Sequence, residues 1–216
     1  SFGNQCYNYY GNTGIKSLEY EIMAPKQEQS KQPGMEYLMT PRPIFDNPNY
    51  KGSGKLKDKV IIITGGDSGL GRAAAIAFVK EGAKVVATDI NEEKLMELAE
   101  EVKAAGGDIL TMKHNVASEE EWKAVVAKAV ETFGKVDVLV NNAHASKQKP
   151  FEELTQEDFD LSFGTGFYPT FYLMKAALPY LKETEGSIIN FASGAGLTGQ
   201  PTQAAYAAAK EAIRAI

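Results

Sequence analysis

The 216-residue sequence predicts an α/β fold in which a doubly wound parallel sheet is covered by helices on both faces. From residue 57 onward, short runs rich in β-branched residues alternate with segments whose apolar residues recur at helical spacing. This alternation is typical of parallel strands joined by crossover helices. The first apolar run, which begins at Val60, also leads directly into a glycine-rich segment, as the first strand of such sheets often does.

The individual elements follow from the same pattern. Strands are predicted over residues 60–64, 84–88, 108–113, 136–140 and 187–191. Helices are predicted to begin near Gly69, Asn91, Ser118, Thr155 and Gln203. The third helix has Ser118 followed by Glu121, which is the spacing of a capping box. Trp122 lies on the apolar stripe of that helix, so we interpret it as a packing residue rather than a ligand platform.

Composition excludes several classes of protein. The 23 basic and 28 acidic residues give a net charge of −5, without the basic surplus that nucleic-acid binding usually requires. The apolar runs, such as residues 73–79, are much shorter than the roughly 20 residues that cross a bilayer. The lone Cys6 excludes an internal disulfide, and the sequence does not open with a signal-peptide pattern, which indicates a cytoplasmic protein without a membrane partner.

Residues 1–55 differ from the rest and are predicted to form an irregular N-terminal arm, with the nucleotide-binding and catalytic domain over residues 56–216. The arm holds five prolines and six of the ten tyrosines but almost no apolar run. Tyr7, Tyr9 and Tyr10 lie among Asn and Gly, so this segment is either a binding segment or a poorly ordered extension. Met23 is a candidate internal start.

The glycine-rich segment is a candidate phosphate-binding turn between a strand and a helix. Gly65 would permit the tight turn, Gly69 would let the backbone approach a pyrophosphate, and Gly71 would let the helix pack closely on the strand. The amides at the helix N-terminus favour an anion. A Rossmann-like dinucleotide site is therefore predicted here, with a plain tight turn as the alternative.

Asp89 gives the strongest indication of which dinucleotide binds. It ends the second predicted strand, twenty residues after Gly69, where a carboxylate can accept hydrogen bonds from both ribose hydroxyls. The same charge would repel a 2′-phosphate, and the turn carries Asp67 rather than a basic residue. NAD(H) is therefore favoured over NADP(H), although Asp89 alone is also compatible with a helix cap.

Several motifs in the correct order resemble the short-chain dehydrogenase/reductase family over residues 57–216. They are the three glycines, Asn141-Asn142-Ala143 after the fourth strand, Ser193 after the fifth, and Tyr206 with Lys210. The Gly-x-x-x-Gly-x-Gly turn and the three residues between Tyr206 and Lys210 are similar to the ordinary, non-extended type. The segment before residue 57 resembles the N-terminal extension of a bacterial oxidoreductase subgroup.

The resemblance implies an enzyme that interconverts a carbonyl and a secondary alcohol by hydride transfer with NAD(H). Tyr206 would be the general acid/base, Lys210 would favour its phenolate form and hold the nicotinamide ribose, and Ser193 would hydrogen-bond the reacting oxygen. The cofactor would contact Gly65, Asp67, Ser68, Gly69, Leu70, Gly71, Asp89, Ile90, Asn115, Val116, Asn142, Ala143, Tyr206 and Lys210. A hydrolase triad or a metal site is not predicted, because His114 and His144 lack the required partners.

Other positions depart from the family pattern. Gly166 stands where the family has a catalytic Asn in the helix after the fourth strand, and His144 replaces a Gly. Asn115 replaces a common Asp beside the adenine, and Pro169 with its neighbouring glycines would kink the helix. A catalytically weak NAD-binding or scaffold protein of the same fold is therefore the alternative interpretation.

The resemblance also implies a sheet ordered 3-2-1-4-5 and a homodimer or homotetramer acting on a small carbonyl or alcohol substrate. Family members usually continue through two more strands, so C-terminal strands are expected to be missing from this sequence. Phe167, Phe171 and Tyr172 belong either to the subunit interface or to the core.

Overall fold

The computed structural model describes residue 29 and residues 36–216, which fall in two units with a division between Pro48 and Asn49. In the first unit, the described residues include one turn of 3₁₀ helix at Glu36–Leu38. The predictions for Cys6, for the tyrosines at 7, 9 and 10 and for Met23 lie outside the described residues. In the described part of the chain, no helix combines the length and the apolar character that crossing a membrane requires.

The second unit is built on a parallel sheet of five strands, in the order β3-β2-β1-β4-β5. The strands are β1 (Val60–Thr64), β2 (Lys84–Asp89), β3 (Ile109–Lys113), β4 (Val138–Asn141) and β5 (Ser187–Asn190). Ile62 in the central strand aligns with Val86 of β2 and Leu139 of β4. The predicted fold class and strand order are therefore confirmed, with strand ends shifted by one or two residues.

Helices connect the strands and cover both faces of the sheet. They are α1 (Gly69–Lys80), α2 (Glu92–Ala104), α3 (Glu119–Phe133), α4 (Gln156–Ser162), α5 (Tyr168–Thr184), α6 (Gly194–Thr198) and α7 (Ala204–Arg214). A short 3₁₀ turn, Phe151–Glu153, precedes α4.

Alternate side chains of β1 enter two separate apolar layers. Ile61 and Ile63 pack in the layer that contains Leu95 and Leu98 of α2. Ile62 packs on the opposite face with residues of α3 and α5. Because both faces of β1 are covered, its side chains are buried without interruption, which explains the continuous apolar run in the sequence.

Trp122 is a packing residue, as predicted. Its side chain is 6% exposed and its ring stacks on Tyr172 of α5 at 4.4 Å between ring centroids. The indole Nε1–H donates to the Val116 carbonyl at 2.6 Å, so its polar atom is also satisfied inside the fold.

The predicted capping box of α3 is wrong. The Ser118 side chain makes no cap hydrogen bond, and Glu121 accepts a hydrogen bond from the Asn115 amide at 2.6 Å instead. The loop folds back so that the Ser118 amide donates to the Asn115 carbonyl, which brings the Asn115 N–H within reach of Glu121. A capping box does form at α4, between Thr155 and Asp158.

The helix that was expected to kink contains a π-helical segment at Phe163–Phe167, between α4 and α5. Pro169 lacks an N–H and cannot continue an α-helical ladder at this point. The Thr170 hydroxyl donates to the Gly166 carbonyl at 2.8 Å in the interior of the fold. The helical path therefore continues without a break, and the π turn changes the direction of the side chains along it.

Residues 50–56 pack on the end of α1. Most of them were predicted to belong to the N-terminal arm. The Glu81 carboxylate accepts hydrogen bonds from the Tyr50 hydroxyl and from the Ser53 and Lys55 amides, the latter two at 3.0 Å. A Cβ on Gly52 would lie 1.8 Å from the Lys80 carbonyl oxygen. The start of the second unit is therefore fixed by one buried carboxylate and one close backbone approach.

Candidate active site

The glycine turn lies at the carboxyl end of β1 and needs its glycines for different reasons. Gly65 has a φ of +68°, and a Cβ there would also lie 2.8 Å from Nδ2 of Asn142. A Cβ on Gly71 would lie 1.9 Å from the Gly65 carbonyl oxygen, so only glycine lets α1 begin this close to the strand. Gly69 has a φ of +51° and an open face, because a Cβ there would meet nothing within 4 Å.

Asn142 holds the turn in place. Its Nδ2 donates to the carbonyls of Thr64 and Gly65 at 2.9 and 3.0 Å. The amides of Asn142 and Ala143 both donate to the Thr64 hydroxyl at 3.1 Å. Asn142 therefore joins the end of β4 to the end of β1, and its side-chain donors are already used within the protein.

Asp89 ends β2 beside the same turn. Its Oδ1 accepts hydrogen bonds from the Ile90 and Asn91 amides at 2.7 and 3.2 Å. Burial, followed by the charge of Asp67, raises the pKa of Asp89 to about 6. The cap of α2 is Asn91, whose side chain accepts a hydrogen bond from the Lys94 amide, so Asp89 is not the helix cap.

The loop after β3 offers fewer groups for binding a cofactor than its sequence suggests. The Asn115 side chain accepts a hydrogen bond from the Ala117 amide at 3.0 Å, and Val116 is buried. His114 is fully buried with Nδ1 3.0 Å from the Thr88 hydroxyl, and burial lowers its pKa. Nothing in the sequence indicated that His114 and Thr88 would contact each other here.

These features fit an adenine dinucleotide. The turn offers an open glycine face and the N-terminus of the twelve-residue helix α1, where backbone amides favour phosphate. The Ser68 hydroxyl donates to Asp67 at 2.7 Å, and Asp89 stands at the end of the adjacent strand. Leu70 and Ile90 are 69% and 64% exposed, an unusual exposure for apolar side chains that a bound ring system would cover.

Tyr206 and Lys210 lie one turn apart on α7 and face the same side, as their spacing predicts. The Lys210 Nζ is 5.8 Å from the centroid of the Tyr206 ring. Lys210 is only 5% exposed, its Nζ donates to the Phe191 carbonyl at 2.6 Å, and burial lowers its pKa to about 8. A buried ammonium held beside a phenol favours the phenolate form.

His144 completes this cluster from the loop after β4. Its ring lies 5.0 Å from the Tyr206 ring between centroids, and its Nε2 is 2.8 Å from the Ser162 hydroxyl. Burial, with a smaller contribution from Lys210, lowers the pKa of His144 to about 3, so the imidazole is neutral at physiological pH. Nothing in the sequence indicated that Ser162 would hold this ring.

Ser193 lies at the N-terminus of α6, and its Oγ accepts a hydrogen bond from the Ala195 amide at 3.2 Å. Helix α6 packs closely on α7, since a Cβ on Gly196 would lie 3.0 Å from the Glu211 amide nitrogen. An open depression of about 430 Å³ beside Ser193 is lined by residues 189–194, Leu197 and Arg214. Phe191, which lines this depression, also accepts the hydrogen bond from Lys210, so the depression lies next to the Tyr206 cluster.

The sheet order brings the predicted residues to one edge of the fold. In the order 3-2-1-4-5, β1 and β4 are neighbours from which the chain continues in opposite directions, and ligands of such sheets bind at this crevice. The glycine turn, Asp89 and Asn142 lie at this edge, and His144 connects it to Tyr206. The fold and this edge together define a Rossmann-like nucleotide-binding protein.

Comparison with known proteins identifies the family. A family model described as short chain dehydrogenase matches residues 59–216. The 12alpha-hydroxysteroid dehydrogenase of a Clostridium species is 47% identical over 166 residues, which are 73% of this chain and 64% of that relative. General stress protein 39 of Bacillus subtilis is 42% identical over 198 residues, 91% of this chain and 69% of the relative. The chain belongs to the short-chain dehydrogenase/reductase family.

A solved structure gives the same result. The structure described as 7 alpha-hydroxysteroid dehydrogenase complexed with NADH and 7-oxo glycochenodeoxycholic acid matches with a TM-score of 0.71 and 32% identity. The match covers 74% of this chain and 63% of that one. This chain thus spans less than two thirds of the length of that structure and of the Clostridium relative.

Proposed function

We propose that this protein is an NAD(H)-dependent oxidoreductase that interconverts a carbonyl and a secondary alcohol. The observation that carries the proposal is the Tyr206–Lys210 pair, in which a buried ammonium lies 5.8 Å from the phenol ring at the nucleotide-binding edge of the sheet. A surface pair of the same residues would leave the lysine in solvent, where it would have little effect on the phenol.

The residues that would hold the cofactor follow from the turn. The α1 amides would bind the pyrophosphate, and Asp89 would accept hydrogen bonds from the adenosine ribose hydroxyls. Leu70, Ile90 and Val116 would contact the adenine end. When bound, the nicotinamide supplies or accepts the hydride.

The chain itself handles the proton. In reduction, the Tyr206 hydroxyl gives its proton to the carbonyl oxygen, and in oxidation the Tyr206 oxygen takes the proton of the alcohol. The Lys210 ammonium stabilises the phenolate that exists between these events. Ser193 would hydrogen-bond the reacting oxygen and stabilise the charge that develops on it.

Cyclic secondary alcohols and ketones of the hydroxysteroid type are the substrate class to test first. Two of the similar proteins carry hydroxysteroid dehydrogenase in their descriptions, one of them with 47% identity. We expect the purified protein to oxidise NADH in the presence of 12-oxo or 7-oxo steroids. Turnover of small open-chain aldehydes alone would contradict this substrate class while leaving the reaction type intact.

Asp89 should decide between the two nicotinamide cofactors. Asp89→Asn keeps an oxygen for the Ile90 and Asn91 amides but removes the charge, so we expect weaker NADH binding and improved NADPH binding. Calorimetric titration of the parent and the variant with both cofactors measures this change. An equal change in affinity for both cofactors would contradict the assignment of Asp89 to the 2′ position.

The same variant carries a prediction on stability and pH. The raised pKa of Asp89 means that the folded state binds this proton more tightly than the unfolded state does, so stability falls as pH rises from about 4 to about 6. Asp89→Asn removes this effect. Its Tm without cofactor should therefore exceed that of the parent at pH 7.5, and the difference should disappear near pH 4. A Tm difference that is constant with pH would contradict the raised pKa of Asp89, which comes from burial and then from the charge of Asp67.

A catalytically weak nucleotide-binding or scaffold protein is the second candidate. Gly166 favours it, because a glycine in the π segment supplies no side chain for proton transfer. The two candidates are distinguished by turnover: the scaffold would bind NADH and leave every carbonyl of a broad panel unreduced.

We also propose that the protein is cytoplasmic and forms a homo-oligomer through the outer face of α5. Phe171 and Leu178 are 42% and 43% exposed on this helix, a surface that a second copy would cover. Sedimentation equilibrium should give a dimer or tetramer for the parent and a shift toward monomer for Phe171→Lys. A parent that stays monomeric at high concentration would contradict the assembly.

A further inference from the structure

The imidazole of His144 occupies the space that a side chain at position 166 would need. A Cβ built on Gly166 lies 2.9 Å from Cε1, 3.0 Å from Nδ1 and 3.2 Å from Nε2 of His144. These distances are shorter than normal contacts, so residue 166 must be small as long as the ring is present. The two departures from the family pattern are therefore one structural feature: the ring from the β4 loop fills the volume above a glycine in the π segment.

The ring is held rigidly and lies against Tyr206. Its Nε2 shares a hydrogen bond with the hydroxyl of Ser162, which is fully buried. The next loop residue is tied to the π segment, because the Ala145 amide donates to the Thr165 hydroxyl at 2.9 Å. On its other side the His144 ring contacts the Tyr206 ring at 5.0 Å and 36°. A movement of His144 would therefore move the phenol.

The second nitrogen of the ring has no assigned partner. Nδ1 of His144 is buried and makes no hydrogen bond within the described residues. A buried polar atom without a partner costs stability, and such atoms cluster at functional sites. If the Ser162 hydroxyl donates to Nε2, then Nδ1 carries the proton and is a buried donor above Gly166.

The charged surroundings of the ring are simple. Among the described residues, the titratable groups next to it are Tyr206, through ring contact, and Lys210, whose charge opposes protonation of the imidazole. The neighbouring positions on the π segment and α4 are Gly166, Thr165 and Ser162, which carry no charge. A neutral imidazole can donate a hydrogen bond without adding a second cation beside Lys210.

We propose that His144 is a positioning residue for Tyr206: its ring, held by Ser162 and packed over Gly166, fixes the orientation of the phenol. This role rests on the proposed oxidoreductase function. Tyr206 still transfers the proton to or from the substrate oxygen, and His144 holds the phenol in the orientation that this transfer requires. Gly166 is then required because it makes room for the ring.

His144→Ala removes the ring, and His144→Phe tests whether a ring without nitrogens is sufficient to position Tyr206. Phenylalanine keeps a planar ring over Gly166 and against Tyr206 but removes both nitrogens, and Ser162→Ala is combined with it so that no hydroxyl is left without a partner. The matched control is Ser162→Ala alone, which retains the imidazole. We expect His144→Ala to lower kcat roughly 10- to 100-fold with NADH affinity unchanged, and the double variant to keep a kcat close to that of its Ser162→Ala control because it retains the ring.

Gly166→Ala tests whether the His144 ring occupies the space that a side chain at position 166 would need. In the parent it should lower Tm by several degrees because its methyl group meets the ring, whereas in a His144→Ala background it should be tolerated. Additive effects of the two substitutions would contradict the packing of the ring over Gly166.

NMR spectroscopy of the imidazole groups tests the contact between His144 and Tyr206 without requiring turnover. The spectrum is simple because the sequence has two histidines. In protein labelled with ¹⁵N-histidine, the imidazole signals of His144 are those that disappear in His144→Phe. They should remain those of a neutral ring down to about pH 4. They should also shift in Tyr206→Phe, because that substitution changes the neighbouring ring. Imidazole signals that do not change in Tyr206→Phe, a His144→Ala variant with the kcat of the parent, or a double variant with a kcat as low as that of His144→Ala would overturn the role of His144. Absence of turnover in the parent, with the ring coupling intact, would instead overturn the proposed oxidoreductase function.

Discussion

Replacing Tyr206 by phenylalanine is expected to lower kcat by about 10³-fold while NADH binding is retained. The substitution removes one oxygen and keeps the ring that contacts His144, so the local packing is preserved. General acid–base catalysis by a positioned side chain contributes about 10²- to 10⁴-fold, and the phenol oxygen is the only part of this contribution that the variant loses. Steady-state kinetics with a ketone and NADH, together with calorimetric titration of NADH, measure both quantities.

Tyr180→Phe is the matched control for this experiment. Tyr180 lies on α5, where it packs against the apolar layer that contains Trp122 and lines a groove with Trp122 and Tyr172. Loss of its hydroxyl should leave kcat within a factor of about two, because Tyr180 has no part in the proposed proton transfer, and should change stability by less than about 0.5 kcal/mol. Equal turnover by the parent and Tyr206→Phe would contradict the catalytic assignment. An equal loss in both variants would assign the effect to general destabilisation.

Gly71→Ala is expected to have the largest effect on stability. The added Cβ would lie 1.9 Å from the Gly65 carbonyl oxygen and 2.7 Å from Nδ2 of Asn142, both of which belong to the phosphate-binding turn. Relieving this overlap requires α1 to move away from β1, at a cost of about 3 kcal/mol or more. For a domain of this size, this cost corresponds to a Tm lowered by roughly 6–12 °C. NADH binding should weaken as well, because the same displacement distorts the turn.

Gly164→Ala provides the control for the glycine substitution. A Cβ on Gly164 would meet nothing within 4 Å, and the position has no left-handed backbone. Alanine there should leave the Tm unchanged or raise it slightly, since glycine inside a helix is less favourable than alanine by about 0.5–1 kcal/mol. If Gly71→Ala has the same Tm as Gly164→Ala, then the close approach of α1 to β1 described above is wrong.

The fold could be predicted because its signals are local. The strand β1 is buried on both faces and therefore reads as an unbroken apolar run, and the glycines that follow it are required by backbone geometry within a few residues. The Tyr206–Lys210 spacing is also local, so helical geometry alone places both on one face. These features need only the immediate sequence.

The remaining features depend on residues that are distant in the chain. His144 and Gly166 are 22 residues apart, and each taken alone indicated a loss of function, whereas the structure shows one ring filling one space. Asp67 and Asp89 belong to different turns. Their carboxylates repel each other because β1 and β2 are neighbouring strands whose ends lie close together. The capping box at Ser118 failed for a similar reason, because the backbone of the preceding loop brought a different amide to Glu121.

Buried Lys210 shows why a short motif does not describe a site completely. The spacing places it beside Tyr206, but its burial and its hydrogen bond to the Phe191 carbonyl depend on the loop after β5. This environment lowers the lysine pKa to about 8 and directs the ammonium between a carbonyl and a phenol. The pair of residues could be predicted from its spacing, whereas the strength of the interaction depends on the tertiary structure.

Calorimetric titration of the purified protein with NADH and with NADPH is the most direct test of the proposed function, because it examines the turn, Asp89 and the cofactor preference together. We predict saturable binding of NADH, weaker binding of NADPH, and loss of that preference in Asp89→Asn. Binding of NADPH with equal or higher affinity would contradict the proposed NAD(H) dependence, and the absence of binding by either cofactor to the folded protein would contradict the nucleotide site itself.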